Sequence, residues 1–315
     1  MLIKGGEQAY LHYIIKRTRE HNVDNISRTK AYQNIYLTYP EIKWSLLASV
    51  VSRNAGWNMT DLYLPPFQKL FHENERTRLF MTYERANWLI FSDAYPQLLI
   101  YILSIKRNKP LFYLLKEFNV SVFMIEEWYR FWTYQDQERL MTALIINEQN
   151  VIEAPVVKNN YFKQNVFHKV PYQMQNLLFM NAIIVPTKTL KLYGLFVHDF
   201  TNLTKRISLG KQIASVLFHK DTYHHILDFL IRVEYTGSRR DYEQFLDLPF
   251  PYSPILRMIY PEITHHNNIR SDWFKSRGLK KKWFRNIPKD SNFDITESFY
   301  NKRNMIFAYY HIKLI

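Results

Sequence analysis

Scarcity of glycine is the feature of this sequence that most restricts its fold. Only seven glycines occur in 315 residues. A doubly wound nucleotide-binding fold needs glycine-rich turns between strands and helices, and the sequence contains neither G-x-G-x-x-G nor G-x-x-x-x-G-K-[ST]. Long segments instead repeat apolar residues at helical spacing. The pattern therefore predicts an all-α fold of roughly ten to twelve helices without a sizeable sheet.

Local signals predict where individual helices begin and end. Ser121 is expected to cap one helix, and Ser238 is expected to cap another that begins just after Gly237. We expect Gly56, in the left-handed conformation, to end the helix that contains WSLLASVV. A further helix break is expected near Ser92, Asp93 and Pro96, since proline lacks the amide donor of a helical hydrogen bond.

The composition supports a packed core and excludes cysteine chemistry. Hydrophobic residues make up 47% of the chain and aromatic residues 17%. Cysteine is absent, which excludes disulfides, thiolate nucleophiles and cysteine-based metal sites. Helical periodicity weakens from Ala154 to Tyr193, where three prolines and several β-branched residues occur. We therefore expect two packed helical lobes, residues 1–153 and residues 154–315.

The chain is expected to be a cytoplasmic protein without a transmembrane segment. No stretch reaches about 18 uninterrupted apolar residues, the length that spans a bilayer. The N-terminal region also lacks the apolar core of a signal peptide. The formal net charge of +14 favours a polyanionic partner, such as nucleic acid, an anionic membrane or a phosphorylated ligand.

Half of that charge lies in residues 270–289, RSDWFKSRGLKKKWFRNIPK, which we call the basic segment. Eight lysines and arginines accompany one aspartate, with Trp273, Phe274, Trp283 and Phe284 between them. Cations on phosphates and aromatic rings on bases are typical of single-stranded nucleic-acid binding, although an anionic membrane suits the same mixture. A third interpretation is a solvated loop whose aromatic rings pack onto the protein. The candidate polyanion-binding residues are Arg239, Arg240, Arg270, Lys275, Arg277, Lys280, Lys281, Lys282 and Arg285.

Polar residues that interrupt apolar helices form a second candidate site. A buried polar group without a partner costs about 1–3 kcal/mol, so these groups should form a buried network or line a cavity. A cavity would favour an enzyme with hydrolase-like acid/base chemistry, because burial raises the pKa of a carboxylic acid. The candidate catalytic residues are Asp61, Glu84, Asp93 and Glu148. The candidate ligand-binding residues are Arg53, Asn54, Trp57, Asn87, Asn147 and Asn150.

The histidines and carboxylates match no specific metal-binding spacing such as H-E-x-x-H. No cofactor-binding motif is present either. The sequence therefore predicts neither a metal nor a cofactor.

Six segments together resemble one protein family. They are NISRTKAY, PEIKWSLLASVVSRNAGWNMTDL, ERANWLIFSDAYPQLLIY, ALIINEQNVIE, LGKQIASVLF and TGSRRDYE. They resemble the DUF2515 family across about residues 20–245. The resemblance implies a Bacillus-like bacterial origin. It implies no reaction, because the family is uncharacterised, and it does not extend to the basic segment.

Three functional hypotheses follow from these observations. The leading one is a non-enzymatic accessory protein that binds nucleic acid through a basic face. The first alternative is an enzyme that uses a polar cleft in the N-terminal lobe. The second alternative is a peripheral membrane factor or a protein-interaction factor. The sequence does not specify an oligomeric state.

Overall fold

The computed structural model describes residues 5–167, 182–245, 251–265, 271–286 and 293–312. Helices dominate these ranges, and the one sheet within them has two strands. The prediction of a mainly helical fold without a sizeable sheet is thus confirmed. The described ranges contain more α-helices than the ten to twelve expected, because several helices are single turns that periodicity does not reveal.

The elements follow one another along the chain in this order. The α-helices are α1 (Gly5–His21), α2 (Asn25–Thr38), α3 (Lys43–Asp61), α4 (Pro65–Leu70), α5 (Glu73–Arg107), α6 (Val122–Tyr134), α7 (Gln137–Val151), α8 (Asn160–Phe162), α9 (Leu203–Leu217), α10 (Tyr223–Arg232), α11 (Arg240–Glu243), α12 (Leu256–Ile259), α13 (Trp273–Arg277) and α14 (Thr296–Ile312). The strands are β1 (Ala182–Pro186) and β2 (Leu192–Phe196). Short 3₁₀ segments occur at Phe112–Phe118 and Lys281–Phe284, and π-helical turns at Glu153–Val157 and Lys163–Phe167.

Helix α3 lies at the centre of the core, and nearly all of its residues are buried. Helices α2, α5 and α7 pack around it. A helix that is buried on every face must satisfy its polar side chains internally. Ser45 and Ser49 do so by donating to the carbonyls of Ile42 and Leu46, each at 2.7 Å.

Gly56 lies inside α3, so the prediction that it ends the helix is wrong. The helix continues to Asp61. A Cβ atom at position 56 would lie 2.0 Å from the hydroxyl oxygen of Tyr235. That hydroxyl donates a hydrogen bond to the carbonyl of Arg53 at 3.0 Å. The close approach of a buried tyrosine is therefore the reason for glycine at this position.

Helix α5 is continuous over 35 residues, so the predicted break near Pro96 is also wrong. Leu89 before the proline and Leu98 after it are both buried. Packing on both sides offsets the missing amide donor, which costs about 3 kcal/mol in a helix interior. By length and composition α5 could cross a membrane, but 67% of its apolar window is buried inside the protein, as in a core helix.

The predicted helix caps agree better with the structure than the predicted breaks inside helices do. Ser121 caps α6 and accepts a hydrogen bond from the amide of Met124 at 3.3 Å. Gly237 adopts a left-handed φ of 78° before the single turn of α11. The hydroxyl of Ser238 accepts from the amide of Arg240 at 3.2 Å, but the N-cap residue of α11 is Arg239, one position after the predicted cap.

The small sheet is attached to the central helix. Strands β1 and β2 pair antiparallel, with Ile184 opposite Gly194. The side chain of Asn54 in α3 accepts from the amide of Ile184 and donates to its carbonyl, both at 2.8 Å. Asn54 thus occupies hydrogen-bonding positions that a neighbouring strand would otherwise fill.

One hydrophobic cluster contains residues from both halves of the chain. Helix α9 from the second half packs against α7 and α3 from the first. The division into lobes at residue 153 stays a prediction.

Candidate anion-binding surface and buried polar residues

Two buried tryptophans attach the basic segment to the rest of the protein. The indole nitrogen of Trp273 donates to the side-chain oxygen of Asn147 at 2.8 Å. The indole nitrogen of Trp283 donates to the hydroxyl of Thr204 at 3.3 Å. The two tryptophans are only 5% and 3% exposed. The described part of the segment is therefore a packed surface element.

The phenylalanines of the basic segment also face the protein. Phe274 and Phe284 are half-buried, with ring centroids 5.8 and 6.3 Å from that of Phe123 in α6. Since all four aromatic rings pack inward, the described surface of the segment presents cations without free aromatic faces. Arg270 lies outside the described residues.

The cations of the described segment point to solvent without acidic partners. Other basic side chains nearby are paired: Arg139 contacts Glu127 at 2.7 Å, and Lys158 contacts Glu153 at 3.1 Å. An exposed cation without a counter-charge contributes fully to the local positive potential. In the part of the chain that the structure describes, the segment's exposed cations without an ion pair are Lys275, Arg277, Lys280, Lys281, Lys282 and Arg285.

An open cleft of about 620 Å³ lies where the basic segment meets the start of α9. Its one acidic side chain, Glu153, is buried and paired with both Arg206 and Lys158. The cleft is lined by Glu153, Lys158, Thr201, Asn202, Leu203, Thr204, Arg277, Lys280, Lys282 and Trp283.

The start of α9 is already capped. The side-chain oxygen of Asn202 accepts from the amides of Thr204 and Lys205 at 3.0 and 3.2 Å. Those amides are therefore not available to a ligand. Anion binding in this cleft would depend on the side chains that line it.

The two arginines near α11 differ in their surroundings. Arg239 is 1% exposed, and its guanidinium donates to Asp61 and to Asn58, each at 2.9 Å. Burial disfavours its charge, but Asp61, Tyr242 and Glu243 together outweigh burial and raise the pKa of Arg239. Arg239 therefore stabilises the interior. Arg240 is exposed, and its guanidinium lies 5.2 Å from the ring centroid of Tyr252.

Asp61 is enclosed in a network of buried ions. Arg303 of α14 lies 3.7 Å from Asp61 and 3.1 Å from Glu243. Nearby, the indole of Trp57 donates to Asp241 at 2.9 Å. The two carboxylates of Asp61 and Glu243 thus face two arginines, and a buried ion cluster requires such pairing.

Glu84 forms a buried ion pair with Arg28. Two hydrogen bonds of 2.7 and 2.5 Å join the side chains, and His265 lies 2.9 Å from the same carboxylate. Burial opposes ionisation, but Arg28, together with His265 and Tyr260, outweighs it and lowers the pKa of Glu84. A general acid needs the opposite shift. Asn87 is half-buried and donates to the carbonyl of Tyr83 on its own helix at 2.8 Å.

Asp93 and Asn147 belong to another buried network. The amide of Asn147 donates to Asp93 at 2.6 Å, and Gln97 donates to the same oxygen at 2.7 Å. Because Asn147 also accepts from Trp273, this network joins the core to the basic segment.

Glu148 is buried without a cation among its described partners. It accepts hydrogen bonds from Trp44 at 3.1 Å and from Gln149 at 3.0 Å. Burial raises the pKa of Glu148 to about 7, although both hydrogen bonds oppose the shift. On the same helix, the amide of Asn150 donates to the carbonyl of Ile146 at 2.9 Å.

Arg53 is the counterpart of Glu148, a buried cation without a directly paired acid among the residues that the structure describes. It donates to Gln33 at 2.8 Å and to the carbonyl of Leu230 at 2.9 Å. Burial lowers the pKa of Arg53 to about 10.

The polar candidates do not share one open site in the described structure. Asp61, Glu84 and Glu148 hydrogen-bond or pair with different partners, and none of them lines the cleft. No group of three His, Asp or Glu side chains in the described ranges is arranged to hold a metal ion.

Sequence reasoning missed several residues that line the cleft, including Lys158, Thr201 and Thr204. No local motif marks them, and they approach the basic segment only in the folded chain.

Comparison with known proteins places the chain in a family. Residues 20–299 match DUF2515, described as a protein of unknown function. The chain belongs to the DUF2515 family. It is 45% identical to the uncharacterized protein YppC of Bacillus subtilis (strain 168) over 304 residues, which cover 96% of the chain and 95% of YppC. No solved structure matches the chain. The predicted resemblance to DUF2515 is confirmed, and the match extends past the predicted range to include the basic segment.

Proposed function

We propose that this DUF2515 protein binds nucleic acid through the phosphate backbone. The basic segment supplies the contact surface. The observation that carries the proposal is a set of six exposed cations that form no ion pair with the described residues. They lie on a segment that Trp273 and Trp283 attach to the protein.

Fixed cations suit phosphate binding for two reasons. Each lysine or arginine that neutralises a phosphate releases a condensed counterion, which favours association in dilute salt. The buried tryptophans also hold the backbone of the segment, so less conformational entropy is lost on binding. Since the aromatic rings face the protein, we expect contacts with phosphates and little dependence on base sequence.

The alternatives have less support. A membrane-binding segment needs exposed apolar side chains, and the described part of the basic segment, residues 271–286, exposes no large hydrophobic residue. The enzyme hypothesis needs an acid within reach of a substrate. Glu84 and Asp61 are instead buried against arginines.

Charge reversal tests the proposal. The variant Lys280→Glu/Lys281→Glu/Lys282→Glu should bind a fluorescein-labelled single-stranded DNA 20-mer at least about tenfold more weakly than the wild type, measured by anisotropy. A matched control reverses three exposed lysines elsewhere, Lys106, Lys109 and Lys116, and changes the net charge equally. Equal losses in both variants, or no loss in the first, would overturn the proposal.

A further inference from the structure

We propose that the cleft between the basic segment and the start of α9 binds a terminal phosphate monoester of a nucleic-acid strand, in preference to an internal phosphodiester. This inference rests on the proposed function. It adds a specific subsite to a surface that would otherwise bind any phosphate.

Positive side chains outnumber negative ones in the lining of the cleft. Arg277, Lys280 and Lys282 line it without an ion pair in the described part of the chain. Lys158 adds a fourth cation, and its partner Glu153 is already paired with Arg206. The one carboxylate of the cleft is therefore compensated from within the protein, and the three unpaired cations remain for a ligand.

A neutral donor accompanies these cations. The hydroxyl of Thr204 accepts a hydrogen bond from the indole of Trp283, which leaves its own proton available to a ligand oxygen. Thr201 also lines the cleft and is exposed. Hydroxyl and cationic donors around one concavity are the groups that phosphate oxygens accept from.

The charge of the ligand distinguishes a strand end from the strand interior. A phosphate monoester carries about −1.5 to −2 charges at neutral pH and offers three terminal oxygens. An internal phosphodiester carries one negative charge and offers two. Three unpaired cations in one cleft should therefore prefer the monoester, since it carries more charge and offers more oxygens.

The aromatic residue that lines the cleft argues against recognition of the base. Trp283 is buried, and the ammonium of Lys280 lies 5.9 Å from the centroid of its ring. No free aromatic face is offered to a nucleobase by the described residues of the cleft. The preference should therefore follow the terminal phosphate and be independent of the terminal base.

Three DNA 12-mers of identical sequence test this inference. One carries a 5′-phosphate, one a 3′-phosphate and one has hydroxyls at both ends, each with a fluorophore on an internal base. We expect the full-length protein to bind at least one phosphorylated strand about tenfold more tightly than the unphosphorylated strand. Inorganic phosphate should weaken that preference by competition.

Equal affinity for all three strands would overturn the inference and leave the proposed function standing. Absence of binding to every strand would overturn both.

Two matched variants locate the preference. Arg277→Gln/Lys282→Gln removes two cations of the cleft, and we expect the affinity ratio between phosphorylated and unphosphorylated strands to fall to about one. Lys275→Gln/Lys281→Gln removes two cations of the same segment that do not line the cleft. This control should weaken binding of all strands and keep the ratio. An unchanged ratio in the first variant, or an equal loss of the ratio in both, would overturn the assignment.

Discussion

The indole of Trp273 donates a hydrogen bond to Asn147, and the same asparagine donates to the carboxylate of Asp93. One side chain thus connects a surface segment of high positive charge to a polar network inside the helical core. The basic segment is integrated into the fold at this point, so its position and the stability of the protein should respond to the same substitutions.

The first prediction concerns Trp273. Trp273→Phe keeps an aromatic ring in the site but removes the donor to Asn147, so a buried amide oxygen loses one partner. Because the oxygen of Asn147 keeps its hydrogen bond from Ser121 at 3.1 Å, we expect the free energy of unfolding to fall by about 0.5–1.5 kcal/mol. Urea denaturation measures this change, and limited trypsin cleavage should become faster within residues 271–286. An unchanged free energy and cleavage rate would show that this hydrogen bond does not fix the segment.

The second prediction concerns the pH dependence that Glu148 contributes. Burial raises its pKa from the ordinary value of 4.5 to about 7. Its stabilising contribution is therefore complete below about pH 4.5 and is lost as the pH rises through about 7. Glu148→Gln mimics the protonated form. We expect the variant to match the wild type near pH 4.5 and to exceed its free energy of unfolding by roughly 3 kcal/mol at pH 8. Urea denaturation across this range is the measurement, and parallel curves for the two proteins would contradict the burial of an unpaired carboxylate.

The third prediction concerns the contact between Gly56 and Tyr235. Gly56→Ala adds a Cβ atom 2.0 Å from the tyrosine hydroxyl, and we expect it to lower the free energy of unfolding by about 1–3 kcal/mol. Tyr235→Phe removes that oxygen, so the double variant should be less destabilised than the sum of the two single variants. Additive effects in thermal or urea denaturation would show that the two residues do not touch.

The fourth prediction concerns the ion pair of Glu84 and Arg28. Glu84→Gln leaves a buried guanidinium without its counter-charge, so we expect a loss of about 3–5 kcal/mol in the free energy of unfolding. Since the pKa of Glu84 is lowered, its contribution is present above its ordinary value of 4.5 and is lost as the pH falls below it. Arg28→Gln/Glu84→Gln serves as the control and should be less destabilised than the sum of the single variants. If Glu84→Gln folds as stably as the wild type, the ion pair has no structural role.

The sequence predicts the helical class well because apolar spacing is a local property. Ser121 as a cap is predicted for the same reason, since the amide that it accepts from is three residues away. The predictions of a helix break at Pro96 and a helix end at Gly56 are wrong because packing outweighs the local preferences of proline and glycine. For Gly56 the decisive contact is Tyr235, which lies far along the chain and has no sequence signal of its own.

The candidate site, too, can be predicted from the sequence only where its signal is local. The basic segment is visible as a run of charges. The cleft beside it depends on Lys158 and Thr204, which come from two other parts of the chain. For the buried candidates, the sequence requires partners for Glu84 and Asp61 but cannot identify them, because Arg28 and Arg239 are brought to them by tertiary packing.

The salt dependence of DNA binding tests the central claim most directly. For a single-stranded DNA 20-mer, we expect the logarithm of the association constant to fall linearly with the logarithm of the salt concentration. The slope should be about −4 if about six cations each contact a phosphate. In Lys280→Glu/Lys281→Glu/Lys282→Glu the slope should shrink to about −2. A wild-type slope near zero, or an equal slope in both proteins, would contradict a phosphate-binding role for the basic segment.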